Sequence, residues 1–263
     1  MFTRGTPGLQ AGEARLSVRL ARTAAEVREA QRLRHLVFAE EMGARLTGPE
    51  PGVDEDRFDE FCDHLVVRDL GSGEVVGTYR ILPPRAAVRA GGYYSEQEFD
   101  LGRLVHLRPG LVEVGRSCVH PDHRTGAVIA LLWSALGDYM RDGRFTHLIG
   151  CASISMADGG HAAARLYRQI AREYLSPLEY RAFPRLPLPL ERLHGESTAE
   201  LPPLLKGYLR LGAWVCGEPA WDPDFNTADL PVLLAMSRLD RRYARHFVGD
   251  AASGLATAPS RTG

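Results

Sequence analysis

Lysine is nearly missing from this chain. Among 32 basic residues only Lys206 is not an arginine, a bias that GC-rich coding produces and that carries no functional signal. Charge of one sign is missing too. The formal net charge is −1 over 263 residues, which removes the case for general nucleic-acid binding. Cysteine is sparse: Cys62, Cys118, Cys151 and Cys216 stand far apart with no CxxC pair, as expected for reduced thiols of a cytosolic protein. No apolar run reaches the ~18 residues of a spanning helix, so membrane contact is expected to be peripheral at most. The opening "MFTRGTPGLQAGEARL" has no apolar h-region, and no secretory signal is expected. There is no internal repeat, no GxxxxGK[ST] phosphate loop and no GxSxG elbow, which argues against P-loop NTPase and serine-hydrolase chemistry.

The remaining composition, 44% hydrophobic and 25% charged, is that of an ordinary globular protein. Gly, Ala, Ser, Thr and Pro dominate both ends, so residues 1–12 and 249–263 are expected to be disordered. Residues 13–248 are expected to form a single α/β (α+β) domain. "RLSVRLAR" alternates as a strand, and "TAAEVREAQRLRHLVFAEEMGA" has helical periodicity between a Thr cap and Gly43. "HLVVRDLGSGEVVGTYRILP" reads as a hairpin and "LVEVGRSCV" as the next strand. "TGAVIALLWSALGDYMRDG" is a helix, "THLIGCASI" a strand and "HAAARLYRQIAREYL" a helix. Residues 181–204 are a Pro-rich excursion. "LLKGYLRLGAWV" and "LPVLLAMSRL" read as two late strands, and "DRRYARHF" as a closing helix. This order predicts one mixed sheet flanked by helices.

One strand breaks its own pattern. "VEVGRSCVHPDHRTG" sets Glu113 and Arg116 among apolar neighbours, and buried charges are costly unless paired or used. In a regular strand the two would face opposite ways. A bulge near Gly115 would turn both to one side and open a slot for an extended ligand; a buried structural ion pair between them explains the same residues. The turn "HPDHRTGA" can aim backbone N–H groups at a phosphate, and a plain strand-to-helix turn fits equally well. In "DEDRFDEFCDHL" a helix would put Asp56, Asp59 and Asp63 on one face, either to hold a cationic amine or simply as a solvated acidic face. An EF-hand is excluded, because Phe58 and Asp59 occupy the positions of a ligand and the turn glycine. His120 and His123 lack further metal ligands in the sequence, and no metal is expected.

The strand, glycine turn and apolar helix resemble the GNAT N-acetyltransferase superfamily, and "AAARLYRQ" resembles its A-x-x-LY helix. The resemblance implies a GNAT-like mixed central sheet with splayed, bulged middle strands, and gives Tyr167 the role of protonating the leaving thiolate. A narrower resemblance rests on "LRHLVFAEEMG", "DEDRFDEFCDHLVV", "VVGTYRILPP", "SEQEFDL", "LVEVGRSCVHPDHRTGAVIALLW" and "LPPLLKGYLRLGAWVCGEPAWDPDF". These stretches, over about residues 20 to 247, resemble in order the hemolysin-like ornithine N-acyltransferases of ornithine-lipid synthesis. That family is related to acyl-homoserine-lactone synthases and N-acyl amino acid synthases. Those relatives share residue types matched here by Arg34, Phe38, Asp56, Asp59, Arg80, Phe99, Glu113 and Arg116.

The resemblance implies transfer of a 3-hydroxyacyl chain from acyl carrier protein to the α-amine of ornithine or a similar amino acid. Glu113 would be the base and the Val119 N–H an oxyanion donor. Asp56 and Asp59 would attract the substrate's cationic end, Arg80 or Arg116 would bind its carboxylate, and Arg34, Phe38 and Phe99 would complete the substrate site. Arg124, Thr125, Gly126 and Ala127 would hold the phosphopantetheine. The turn is glycine-poor beside the Q/R-x-x-G-x-G/A of acetyl-CoA enzymes, with Ala127 and Val128 after Gly126, which favours a carrier-protein arm over CoA. No permanently bound cofactor is implied. The expected location is cytoplasmic, with peripheral contact at the inner membrane face to release an amphiphilic product. The alternatives are an acetyl-CoA-dependent small-molecule acetyltransferase, an autoinducer synthase and a non-catalytic acyl-carrier or membrane-binding protein.

Overall fold

The computed structural model describes residues 16–194 and 200–239. The termini expected to be disordered and the helix expected in "DRRYARHF" lie outside the described residues, as does 195–199 of the Pro-rich stretch.

Alternating hydrophobicity becomes a sheet whose two faces are both covered. β1 (Leu16–Leu20), β2 (Asp63–Asp69), β3 (Val75–Leu82), β5 (Leu111–Val119), β6 (His147–Ser155), β10 (Thr227–Ala235) and β8 (Trp214–Val215) lie side by side in that order. β9 (Ala220–Asp222) also pairs with β10. A two-residue strand, β4 (Phe99–Asp100), pairs with β7 (Phe183–Pro184) in a separate ribbon. Only the β5–β6 pair in the main sheet is parallel. In β2 the period of two sends Val66 to one side, with α1 (Ala24–His35), and Leu65 and Val67 to the other. On that other side lie α3 (Ala127–Asp142), α4 (His161–Tyr174) and α5 (Pro203–Arg210). The short α2 (Pro84–Arg89) packs in a further apolar cluster with Phe58, Phe99 and Leu104.

Three sequence expectations change. The first helix begins at the predicted cap, where Thr23 accepts from the Glu26 amide, but from Leu36 to Glu41 it widens to π geometry. "DEDRFDEFCDHL" is not a helix: Asp59–Phe61 is one 3-10 turn and Asp63 already belongs to β2. The buried arginines described below hold these aspartates in extended and turn backbone. "LLKGYLRLGAWV" is mostly α5 rather than a strand. Pro203 sits in its first turn, and Leu205, Tyr208 and Leu209 are buried at helical spacing.

β5 and β6 pair only from Leu111–His147 to Glu113–Ile149 and then part. Gly150 lies at the point of parting, where an added Cβ would come 2.4 Å from the Val114 carbonyl oxygen. The obstacle is backbone and cannot rotate away. Gly150→Ala is expected to lower stability by about 1–3 kcal/mol, as other overpacked sites do. Urea unfolding measures this; an unchanged midpoint would mean the two strands separate freely at that point.

Candidate active site

The disruption expected near Gly115 falls at the next residue. β3 pairs with β5 from Gly77–Val119 to Thr78–Cys118 and resumes at Arg80–Gly115, so an extra residue of β5 is accommodated between. Arg116 carries it with a left-handed φ of 52°, a backbone state costly for a non-glycine residue. Glu113 and Arg116 then both open on one cavity of about 750 Å³, lined mainly by apolar side chains, that runs through the β5/β6 gap. A second cavity of about 880 Å³, rich in acids, meets the first around Tyr94, Arg116, Asp222 and Phe225.

Glu113 and Arg116 are not each other's partners. The Glu113 carboxylate accepts from the Tyr94 amide (2.5 Å), the Ser95 amide (2.7 Å) and the Ser95 hydroxyl (2.5 Å). It thereby ties β5 to the start of the 3-10 helix Tyr94–Gln97. Burial pushes its carboxyl above the ordinary range, against the pull of these donors and of Arg80. Ser95 lies on the cavity wall between Glu113 and Cys151, whose thiol donates to the Ser95 oxygen at 3.5 Å.

The acids expected to attract a cation are already neutralised. Arg34, with no exposed surface, reaches Asp54 at 2.7 Å and both Asp59 oxygens at 2.8 and 2.9 Å. Arg80 meets Asp56 at 2.7 Å. Arg116 meets Asp54 at 3.2 Å and Asp56 at 3.4 Å. These side chains make a buried network of three arginines and three aspartates. Burial alone would raise the Asp59 carboxyl; Arg34 and Arg80 outweigh it and hold the group well below the usual range. Arg34 and Asp59 border neither cavity. Their place is under the site, because a bidentate pair at that depth has no donor or acceptor left for substrate. Asp56 borders the second cavity and Arg80 the first. Arg116 lies between the rings of Tyr94 (4.8 Å) and Phe225 (4.7 Å) and borders both.

The other predicted residues divide in the same way. Phe38, Val119, Arg124 and Gly126 line the first cavity, whereas Thr125 and Ala127 do not. Gly126 caps α3 in the left-handed conformation (φ 89°) with no side-chain cap and no acid in the first turn. The N-terminal amides of α3 are therefore not taken by a capping side chain. Arg124 is gripped by both Glu41 oxygens at 2.6 Å and donates to the Val119 carbonyl at 3.2 Å. The His120 amide donates to Val76, so Gly77–Val119 is a non-hydrogen-bonded pair and the Val119 N–H turns away from β3 toward the gap. Phe99 is wholly buried in the cluster around Leu101 and Leu104, because its two-residue strand turns it into that core. Tyr167 packs in the core against α4's own sheet face and is absent from the cavity wall. The tyrosines that do line it are Tyr79 and Tyr208, joined hydroxyl to hydroxyl, and Tyr94. His123 pairs with Asp69 at 3.3 Å.

Ser95, Tyr94, Asp54 and a cluster of Glu98, Cys151 and Asp229 escaped the sequence reading. The three donor atoms of that cluster lie within 4.8 Å of one another. Burial, reinforced by both acids, pushes the Cys151 thiol well up, and a protonated thiol is a poor metal ligand. A signal for Asp229 existed: it is a lone acid entering the apolar run "LPVLLA", the same anomaly that exposed Glu113.

Residues 33–134 match the model of the acetyltransferase (GNAT) domain. The solved acyl-homoserine-lactone synthase LasI overlays with a TM-score of 0.52 at 12% identity, covering 95% of this chain and all of that one, which shows a shared fold. The L-ornithine N(alpha)-acyltransferase of Rhizobium meliloti (strain 1021) is 38% identical over 256 residues, spanning 90% of this chain and 86% of its own. That of Rhodobacter capsulatus is 40% identical over 243 residues, spanning 86% and 93%. The chain belongs to the L-ornithine N(alpha)-acyltransferase family. It is an acyltransferase, and its sheet is the GNAT-type mixed sheet, opened between β5 and β6.

In this family member the Arg34–Asp59 pair supports the site from below. Asp59 has a folded pKa beneath its unfolded one. Its stabilisation is therefore complete above the ordinary carboxylate value, about 4, and is lost as pH falls below that value. Asp59→Asn is expected to cost about 3–5 kcal/mol at neutral pH, because Arg34 stays buried and under-compensated. It should also flatten the acid side of the stability curve. Urea titrations at several pH values check both; a wild-type acid slope in the variant would remove Asp59 from that role.

Proposed function

We propose that the protein transfers a long 3-hydroxyacyl chain from acyl carrier protein to the α-amine of ornithine, opening aminolipid synthesis. The observation that carries this reading is the apolar cavity in the strand gap, with a helix N-terminus at one end and a polar junction at the other. The phosphopantetheine phosphate meets the α3 amides behind Gly126, near Arg124. The acyl chain follows the wall made by Trp133, Tyr208, Val232 and Leu234. Ornithine enters from the acidic second cavity, and Arg116, at the junction, takes its carboxylate.

The α-amine has a pKa of about 8 and must lose a proton to attack. The Ser95 hydroxyl already donates to Glu113, and its oxygen, which takes only the 3.5 Å contact from the Cys151 thiol, has a lone pair left to accept from the amine and pass the proton to the raised Glu113 carboxylate. Nitrogen bonds to the thioester carbon, and the Val119 N–H steadies the developing oxyanion. The C–S bond then breaks, the thiolate leaves with the second proton that the nitrogen sheds as the amide forms, and Glu113 returns the first proton to solvent. No covalent enzyme intermediate is needed. No described helix is long and apolar enough to cross a membrane; the amphiphilic product fits cytoplasmic synthesis with peripheral membrane contact for release.

Incubation with 3-hydroxyacyl carrier-protein thioesters of several lengths and a panel of amino acids, read by mass spectrometry, tests this. N-acylornithine is the expected product, and its absence while the thioester persists would overturn the proposal. Carrier-protein thioester should surpass acyl-CoA of equal length in kcat/KM; equality would overturn the donor assignment. Glu113→Gln should keep its fold and lose roughly 10²–10⁴ in kcat. The loss should shrink as pH rises, because more amine arrives neutral. A pH-independent defect would instead assign Glu113 to positioning Ser95 and Tyr94.

A further inference from the structure

We propose that Glu98 and Asp229 form a pocket for the side-chain ammonium of a diamino acid, and so choose the acceptor. This rests on the proposed function above, and it replaces Asp56 and Asp59 as the place where the substrate's second positive charge is recognised.

Asp229 sits in β10, every residue of which is buried, and is itself 4% exposed. Its Oδ1 has no hydrogen-bond partner, and both carboxylate oxygens of Glu98 are likewise buried without one. Among the described residues no lysine, arginine or histidine forms an ion pair with either acid. Buried carboxylates left this way are costly, and the contrast within this protein is direct. Elsewhere in the protein Asp54, Asp56 and Asp59 each have an arginine. No described basic side chain supplies the balancing charge, so it comes either from a retained proton or from a cation outside the chain.

Position gives that cation its identity. Asp229 and Cys151 line the acyl cavity, Glu98 lines the acidic one, and Asp222 borders both. The acids therefore stand where the two cavities join. Cys151 lies within 4.8 Å of their oxygens, 3.5 Å from the Ser95 hydroxyl, and Ser95 is 2.5 Å from Glu113. The two nitrogens of an extended ornithine are separated by five bonds, roughly 6 Å at standard bond lengths. An α-amine at Ser95 thus puts the side-chain nitrogen within reach of the acids.

The groups facing the pair are Asp222 from β9, Cys151 and Ser153 from β6 and Thr227 from β10, none of them cationic. Burial, then Asp229 and Asp222, push the Glu98 carboxyl up to about 9, and burial raises Asp229 as well. At neutral pH the pair therefore retains a proton. An arriving ammonium favours the ionised form and drives that proton off.

The test compares ornithine with norvaline, which keeps the α-amino acid and the propyl chain but lacks the second amine. Wild-type protein should prefer ornithine in kcat/KM. Glu98→Gln and Asp229→Asn should each shrink that preference by roughly 10–100-fold, the scale of a hydrogen bond to a charged group. Loss of both activities together with the preference unchanged would overturn the proposal. Calorimetric titration of ornithine into the protein, repeated in buffers of different ionisation heat, decides independently of turnover. Proton release in the wild type that disappears in Asp229→Asn supports the pocket, and binding without proton release overturns it. A protein that binds ornithine in this way yet transfers no acyl group would refute the proposed function and leave the pocket standing. A divalent metal retained stoichiometrically through dialysis, and lost in Asp229→Asn, would give the site to a metal instead.

Discussion

The left-handed residue in the middle of β5 is the constraint on which the site depends. A regular strand would keep pairing with β6 and would turn Glu113 and Arg116 to opposite faces. At Arg116 the backbone instead takes φ 52°, the β3 register shifts, and β6 is released after Ile149. A non-glycine residue persists in that conformation only when its surroundings over-determine it. Asp54, Asp56, Tyr94 and Phe225 do so by fixing the guanidinium on its charge and on both ring faces.

That grip explains why so much charge is buried beneath the site. Arg34 joins Asp54 and Asp59, Arg80 joins Asp56, and Arg116 shares both sets. Removing any one charge leaves its partner uncompensated at depth. The network therefore acts as one rigid support between α1, the 54–61 loop and β3. Glu113 performs the matching task on the other side, fastening the Tyr94–Gln97 turn to β5. Residues that resemble a substrate-binding set in the sequence divide into those that hold the walls and those that face the cavity.

The acids differ by partner more than by residue type. Asp59 is held ionised by arginines, Glu113 is raised by burial while three donors restrain it, and Glu98 with Asp229 is raised by burial with no cation beside it. The same kind of group thus serves as a structural anion at Asp59, as the proposed proton acceptor at Glu113 and as the proposed cation pocket at Glu98 and Asp229.

The sequence by itself determined the periodic elements, the bulged strand and the family. Hydrophobic periods of 2 and 3.6, the Thr23 cap, and the charges at Glu113 and Arg116 are local signals, and each survives folding. The sequence did not determine which charge meets which. Arg34 and Asp59 are separated by 25 positions and Arg116 and Asp56 by 60, and pairing at such distance is set by how the elements pack. Tyr167 shows the same limit, since a helix position that fits a motif still faces wherever the helix is turned. "LLKGYLRLGAWV" read as a strand, and most of it became a helix because Leu205, Tyr208 and Leu209 find the core on one side. Glu98 and Asp229 belong to unrelated segments, and only the tertiary fold sets them against one another at the junction of the two cavities.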